Sequence, residues 1–170
     1  MKILITLLKP LSFVPALLMM YIIFSFSAQT GESSGNLSYQ ISYDIVEIKS
    51  DILSENKSSD QLAYEADGIH YYVRKAAHMT EYFLLAISVS FPLYVYGVRG
   101  IWLPLLAGMI CVGFAALDEY HQSFVAGRGP SKKDVGIDSI GVFAGIIMMQ
   151  FICFLGRITV FRPLAKKKKA

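Results

Sequence analysis

Charge and cysteine are both scarce in this sequence. Charged residues make up 17% of its 170 residues and hydrophobic residues 54%, whereas a soluble domain usually carries about a quarter charged residues. The two cysteines, Cys111 and Cys153, lie in apolar segments and form no Cys-x-x-Cys motif. We interpret them as small buried hydrophobes, which argues against a disulfide scaffold and a cysteine metal site. A glycine-rich nucleotide loop and a repeat of fixed period are also absent, so one compact helical domain is expected.

Long apolar runs are what the sequence has instead. Because the hydrocarbon core of a bilayer is about 30 Å thick, a helix needs about 20 mostly apolar residues to cross it. Four segments approach or reach that length, at about 11–28, 76–97, 101–117 and 135–155. The fold class predicted from them is all-α, a four-helix transmembrane bundle in a single domain of residues 1–170.

The first apolar segment has a second interpretation. The residues Ser25 to Ala28 before Gln29 are small or apolar, which is typical of a signal-peptide cleavage site. The apolar part is long for a signal peptide, which favours a retained span. In both cases the residues that follow lie on the same side of the membrane.

Residues 29–73 form a hydrophilic outer segment between spans one and two. Within it, apolar residues recur at spacings of four, four, three and four, which is helical periodicity. These residues are Leu37, Ile41, Ile45, Ile48 and Ile52. The pattern predicts an amphipathic helix over about 38–54, lying on the membrane surface or packed over the bundle.

The basic residues predict the orientation of the spans. With a cytoplasmic N-terminus, the inner segments hold more than half of the 16 lysines and arginines and none of the 13 acids. These inner basic residues are Lys2, Lys9, Arg99, Arg157, Arg162 and the four lysines at 166–169. The positive-inside rule therefore places both termini in the cytoplasm. The terminal lysines would also touch anionic lipid, and nucleic-acid binding is not expected.

In that orientation, polar residues from all four spans reach the outer side at one depth. Ser27 ends span one, residues 74–82 begin span two, residues 118–122 end span three and residues 128–138 begin span four. Ionisable groups are costly beside lipid, so we expect them to face one another in a shared pocket. The predicted site residues are Arg74, Lys75, His78, Glu81, Tyr82, Asp118, Glu119, His121, Gln122, Arg128, Asp134 and Asp138.

Three interpretations of this cluster stand side by side. In the first the cluster is structural, with the cations pairing with the acids to tie helix ends together. In the second it is catalytic, and the candidates are His78, Glu81, Asp118 and His121. These four would bind a divalent metal, or a carboxylate would orient a histidine as a general base. In the third it binds a ligand without turnover, with arginines holding a phosphate or carboxylate.

Smaller signals predict how the helices begin and pack. Ser131 is expected to cap the last helix, and Pro92 is expected to kink or break the second span. Glycines on the last two spans would permit close helix contact. They are Gly108 and Gly113 on span three, and Gly136, Gly141 and Gly145 on span four.

Four stretches resemble the VanZ-like family of bacterial membrane proteins. They are IFSFSAQ with the serine-rich residues after it (22–38), VRKAAHMTEYFLLA (73–86), LDEYHQSFVAGR (117–128) and KDVGIDSIGVFAG (133–145). The family commonly has asparagine where this chain has Asp138, which adds a carboxylate here. The resemblance implies a four-span protein of the bacterial inner membrane and a link to resistance against the lipoglycopeptide teicoplanin. It implies no catalytic residues.

Together these signals predict a membrane protein whose outer-facing polar pocket binds an amphiphilic molecule of the cell envelope. The expected partners are membrane lipid and a lipid-linked precursor or a lipoglycopeptide such as teicoplanin. The alternatives are a membrane-embedded hydrolase or transferase acting on a lipid-linked substrate, and a purely structural cluster. No cofactor is predicted beyond the divalent metal of the catalytic interpretation.

Overall fold

The protein is an assembly of helices. The computed structural model describes residues 9–159, with the side chains of residues 9–156. A short 3-10 helix, Lys9–Phe13, is followed by α1 (Val14–Ser27), α2 (Gly31–Ile52), α3 (Ser59–Val95), α4 (Trp102–Gln122) and α5 (Lys132–Thr159). Residues 9–159 contain no strand, so the predicted all-α class is confirmed.

Three helical segments are long and apolar enough to cross a membrane. They are Lys9–Ser27, Trp102–Gln122 and Lys132–Gly156, and they correspond to predicted spans one, three and four. The helix of span three continues to Gln122, past its predicted end at 117. Predicted span two lies in the C-terminal half of α3, which is not among these three. The apolar helices thus support a membrane protein, while the fourth crossing stays a proposal.

Helix α3 lies at the centre of the fold and packs against each of the other four helices. Its buried face contributes Tyr82, Leu85, Ala86 and Val89 to the core. Facing residues come from the other three bundle helices: Ala16 and Ile23 of α1, Ala107, Cys111 and Ala115 of α4, and Val142 and Ile146 of α5. The helix has 37 residues, which at about 1.5 Å per residue is roughly 55 Å, well above the bilayer core.

Pro92 is buried inside α3, and the helix continues beyond it to Val95. The predicted break at this residue is therefore wrong. Because Pro92 lies within the last turn, the hydrogen bond that it cannot donate is lost close to the helix end.

Helices α2 and α3 form a hairpin joined by residues 53–58. The side of α2 that faces α3 carries one small or short residue per turn: Ser38, Ser42, Val46 and Ser50, all buried. Leu62 and Ala66 are buried on the outer half of α3. The predicted outer helix is therefore present with bounds 31–52 instead of 38–54. Its isoleucines at 41, 45, 48 and 52 stay 42% to 76% exposed, so the buried side of the helix is the serine side.

Glycines decide how closely α5 approaches α3. A Cβ atom on Gly141 would overlap the carbonyl of Met79, and one on Gly145 would overlap the carbonyl of Phe83. The predicted contact through this glycine pair is confirmed. Gly108 lies near Ile146, whereas Gly113 and Gly136 have open space, so these last two make no close helix contact.

Most residues behind the orientation prediction lie outside the described part of the chain. Lys2, Arg162 and the lysines at 166–169 belong to this group, and Arg157 is described only in its backbone. Among the described inner residues, the Arg99 guanidinium lies 3.6 Å from the ring centroid of Tyr94. It also donates to the backbone carbonyls of Tyr94 and Val98.

Candidate functional site

The ends of α1 and α4 meet at a buried hydrogen-bonded group. The hydroxyl of Ser27 donates to Oδ2 of Asp118 at 2.6 Å. The amide nitrogen of Gln122 donates to the same carboxylate oxygen at 3.0 Å and to the Ser27 hydroxyl at 3.1 Å. All three residues are buried. This arrangement depends on Asp118 and Gln122 lying one turn apart on α4.

A second set of contacts ties α4 and α3 to the start of α5. Oε2 of Glu119 accepts a hydrogen bond from the backbone nitrogen of Ser131 at 2.8 Å. The Ser131 hydroxyl accepts from the backbone nitrogen of Asp134 at 3.3 Å, which confirms the predicted helix cap. Nζ of Lys75 lies 2.6 Å from Oδ1 of Asp134. For these four residues the structural interpretation describes the observed contacts well.

The turn after α1 is held against the turn after α4 by glycines. The backbone nitrogen of Gly31 donates to the carbonyl of Ala126 at 3.0 Å. A Cβ atom on Gly31 would overlap the Gly127 carbonyl, and Gly127 itself has a φ of 72°. A side chain at Gly31 would push the two turns apart, and one at Gly127 would be strained by the left-handed backbone conformation. The close approach sets the position of the next residue, Arg128.

A cavity of about 180 Å³ opens between α1, α2, α3 and the turn that carries Arg128. Its ionisable side chains are Arg74, His78 and Glu81 from one face of α3, and Arg128. The remaining lining residues are Phe26, Gln29, Ser34, Leu37, Ser38, Ile41, Val73 and Ala77. The cavity thus joins a charged wall to an apolar wall, which the sequence alone did not indicate for α2.

Arg128 is a cavity residue with buried hydrogen-bond donors that are not used. Its Nη2 atom donates to the carbonyl of Phe26 at 3.1 Å. Its Nε and Nη1 atoms are buried and have no hydrogen-bond partner among the described residues. Burial, and then the positive charge of Arg74, lower the pKa of Arg128 from its ordinary value. The guanidinium nevertheless stays charged at neutral pH, because arginine titrates far above it.

His78 and Glu81 lie side by side on the cavity wall. Nδ1 of His78 is 3.8 Å from Oε2 of Glu81, and both side chains are about one-fifth exposed. His78 interacts electrostatically with the positive charges of Lys75, Arg74 and Arg128 and with the negative charge of Asp118. A neutral imidazole in this surrounding could take up a proton or accept a hydrogen bond from a ligand.

His121 lies apart from the other histidine of the predicted pocket. Its ring stacks on Phe24 of α1, with the ring centroids 4.4 Å apart. It does not line the cavity that contains His78. Although His121 and Gln122 are neighbours in sequence, only Gln122 turns toward Asp118. This cavity therefore contains only one of the two predicted histidines, because adjacent helical residues point about 100° apart.

Tyr82 and Asp138 lie deeper in the bundle and are almost completely buried, at 0% and 3% exposure. The Tyr82 hydroxyl, Oδ1 of Asp138 and Oδ1 of Asp118 have no hydrogen-bond partner among the described residues. Buried polar atoms require a partner from protein or water. Tyr82, Asp118 and Asp138 do not line the cavity.

The described residues do not assemble the metal site of the catalytic interpretation. Among them, no group of three or more histidine, cysteine, aspartate or glutamate side chains could hold a metal ion. His121 is directed toward Phe24, and Oδ2 of Asp118 accepts two hydrogen bonds. The four candidates are thus divided between the cavity and the helix ties.

Comparison with known proteins identifies the family. A family model described as VanZ/LLP1 matches residues 12–154, which is most of the chain, so this protein belongs to that family. No curated protein matches the sequence. No solved structure matches it either.

Proposed function

We propose that this member of the VanZ/LLP1 family is a four-span membrane protein whose cavity binds an amphiphilic envelope molecule through an anionic group. Family membership and three membrane-length apolar helices fit a membrane protein of the teicoplanin-resistance type. The lipid-linked precursor or lipoglycopeptide, and the outward-facing cavity, are the parts that we add.

The observation that carries the proposal is the guanidinium of Arg128. Arg128 lines the cavity, and two of its nitrogen atoms are buried without a partner among the described residues. A buried donor without an acceptor is unfavourable, and more so when it is charged. A phosphate or carboxylate oxygen matches the planar fork of arginine. Arg74 on the same wall adds a second positive charge.

The opposite wall supports an amphiphile rather than a small soluble anion. Leu37 and Ile41 of α2 and Phe26 of α1 contribute apolar surface close to the two arginines. The cavity also lies where the apolar helices α1 and α4 end. A molecule held at the bilayer surface would present its head to Arg128 and its apolar part to these side chains.

The positive-inside prediction supports an outward-facing cavity. With both termini cytoplasmic, the cavity faces the side where lipid-linked wall precursors and lipoglycopeptides occur. In this arrangement the C-terminal half of α3 supplies the fourth crossing, buried by the neighbouring helices on its Leu85–Val89 side. This packing shields the polar residues in that half of α3 from lipid, which lowers the cost of placing them in the membrane.

A second candidate function rests on His78 and Glu81. A histidine beside a carboxylate at a cavity wall is an arrangement used for general acid–base chemistry. As an enzyme, the protein would hydrolyse or transfer a group of the bound lipid-linked substrate. In that case His78→Ala would abolish conversion of the substrate while leaving its binding largely intact.

Binding can be measured with the full-length protein in nanodiscs of zwitterionic lipid. The probes are a fluorescent polyprenyl phosphate, the corresponding neutral polyprenol, and teicoplanin. We expect the phosphate to bind more tightly than the alcohol. Arg128→Gln should weaken phosphate binding by roughly tenfold to a hundredfold, since a hydrogen bond to a charged group contributes about 1.5–3 kcal/mol.

Lys132→Gln is the matched control, because Lys132 is exposed at the start of α5 and does not line the cavity. It removes one positive charge at a similar position in the chain and should leave binding unchanged. Equal affinity for phosphate and alcohol, together with wild-type binding by Arg128→Gln, would refute the anion site. Release of a shortened or transferred product would favour the enzymatic alternative.

A further inference from the structure

One flank of α2, about 110° around the helix axis from the serine side that packs on α3, is an exposed apolar surface. We call Ile41, Ile45, Ile48 and Ile52 the isoleucine seam. Their exposed fractions are 42%, 45%, 58% and 76%, so the described residues cover the seam only in part. Because α2 packs on α3 through its serines, the seam is left for another partner. Contiguous exposed apolar surface of this kind commonly marks an interaction site.

The seam has the spacing of a coiled-coil interface. Its members follow one another at intervals of four, three and four residues. That pattern places Ile45 and Ile52 at heptad position a, and Ile41 and Ile48 at position d. Two such helices would bury these side chains as knobs in the holes of the facing helix. The surface therefore fits another helix with the same seam.

Charges beside the seam match a parallel pairing of two identical helices. In this register Asp44 occupies position g and Lys49 occupies position e. In a parallel pair, g of one helix meets e of its partner five residues further along, so Asp44 faces the partner's Lys49 on both sides. An antiparallel pair would set Asp44 near the other Asp44. The parallel direction thus gives each Asp44 an opposite charge, on a lysine that also lies 3.8 Å from Oε2 of Glu65 in its own chain.

Membrane insertion imposes the same direction. Two copies inserted with the same orientation are related by a two-fold axis along the bilayer normal, which makes helices that run along the normal parallel. Helix α2 packs lengthwise on α3 through Ser38, Ser42, Val46 and Ser50, so it follows the direction of α3. The continuous α3 is about 55 Å long and extends beyond a hydrocarbon core of about 30 Å. It would therefore carry the hairpin, and the seam, out of the hydrocarbon on the same side in both copies.

The hairpin presents the seam on a rigid element. Ser58 and Gln61 form a capping box at the start of α3. In the connecting loop, Nζ of Lys57 lies 2.7 Å from Oε2 of Glu55 and 2.6 Å from Oε1 of Glu65. These hydrogen bonds raise the pKa of Lys57 and lower the pKa of Glu65, so both stay ionised near neutral pH.

From this geometry we propose that a second copy of the chain covers the isoleucine seam, as a parallel pair of α2 helices. The seam is only about 16 Å long, and an isolated helix pair of that length is marginal in water. Confinement of both copies to one bilayer raises their effective concentration and makes a short interface sufficient. Ile41 also lines the cavity, so the partner helix lies beside the cavity mouth.

Disulfide crosslinking in native membranes tests the pairing. The background is the full-length chain carrying Cys111→Ala and Cys153→Ala, and single cysteines are introduced as Ile45→Cys or Ile48→Cys. Glu47→Cys is the matched control, because Glu47 is exposed on α2 and lies outside the seam. Mild oxidation should give a dimer band several-fold stronger for the two seam positions than for the control.

Charge exchange tests the direction of the pair. Asp44→Lys alone and Lys49→Asp alone should each reduce crosslinking of Ile48→Cys several-fold, since like charges then face each other. The double variant should recover it, and co-expression of the two single variants should favour the mixed dimer. An antiparallel pair would not give this pattern.

Two outcomes would overturn the proposal. One is equal crosslinking at Ile45, Ile48 and Glu47, which indicates random collision. The other is absence of crosslinking together with protection of Ile45→Cys from a membrane-impermeant maleimide, which indicates that lipid covers the seam. Ligand binding at the cavity enters neither measurement, so the cavity proposal and this one fail separately.

Discussion

Two groups of polar residues lie within a few turns of each other at one end of the bundle, and their partners differ. The carboxylate group, Asp118, Glu119 and Asp134, is occupied by a hydroxyl, an amide, a backbone nitrogen and an ammonium. The cavity group, Arg74, His78, Glu81 and Arg128, faces an open space instead. Each carboxylate thus has a partner that ties two parts of the protein together, whereas Arg128 keeps two nitrogen atoms without a partner among the described residues.

The largest effect on stability is expected from Asp118→Ala. Removing the carboxylate leaves the Ser27 hydroxyl and the Gln122 amide without their acceptor in a buried site. An unsatisfied buried group costs about 1–3 kcal/mol, although Gln122 can still donate to Ser27. Thermal unfolding of the purified protein in detergent should show a clearly lower Tm.

Asp118→Asn is the control for that variant, because it keeps an acceptor oxygen in the same place. Its Tm should fall by less than half as much. If both variants unfold like the wild type, Asp118 does not tie α1 to α4, and the contrast between the two groups is wrong.

A smaller effect is expected from Ser131→Ala. This change removes the side-chain acceptor for the backbone nitrogen of Asp134. It leaves the hydrogen bond that the backbone nitrogen of residue 131 donates to Glu119. Loss of a helix cap costs about 1 kcal/mol. Ser131→Thr retains the hydroxyl and should restore most of the stability in the same unfolding measurement. Equal loss in both variants would point to a cause other than capping.

A still smaller effect is expected from Lys75→Met. The Lys75 and Asp134 side chains are 17% and 31% exposed, and ion pairs with solvent access contribute about 0–1 kcal/mol. A double-mutant cycle with Asp134→Asn should give a coupling energy in that range, and the coupling should shrink at high salt. If salt does not change the coupling energy, the Lys75–Asp134 pair is shielded from solvent more than its exposure in the structure indicates.

The smallest change in stability is expected from Arg74→Gln, in the cavity group. Arg74 makes no ion pair among the described residues, and its charge repels that of Arg128. Unfolding should shift by no more than about 0.5 kcal/mol, while binding of the polyprenyl phosphate weakens. A loss of stability as large as that of Asp118→Ala would mean that Arg74 also holds the fold together. The carboxylate group and the cavity group would then not differ in role.

Local patterns predicted several features correctly because each depends on neighbours in the chain. Apolar length marked spans one, three and four, and Ser131 after a Gly-Pro pair marked the start of α5. The Gly141 and Gly145 pair indicated a close helix contact. Helical spacing also predicted that an outer helix lies between spans one and two. These features follow from hydropathy, capping and backbone sterics alone.

Sequence patterns did not predict which side of a helix packs against a neighbour when more than one side could do so. The isoleucines of α2 predicted a helix on the membrane surface or packed over the bundle, but they did not indicate that its serine side is the one buried against α3. His121 was grouped with His78 because both lie near one end of their spans. Rotation around α4 instead directs it toward Phe24. Depth in the membrane can be estimated from sequence, but direction around the helix axis depends on which neighbour is present.

By itself, the sequence determined an all-helical membrane protein of the VanZ/LLP1 family with polar residues concentrated at one level. Hydropathy and residue spacing act along the chain, so both can be read without knowledge of its partners. Only the tertiary structure decided which of those polar residues satisfy one another and which surround the cavity. That choice depends on contacts such as Ser27 with Asp118, 91 positions away, and these exist only once the helices are packed.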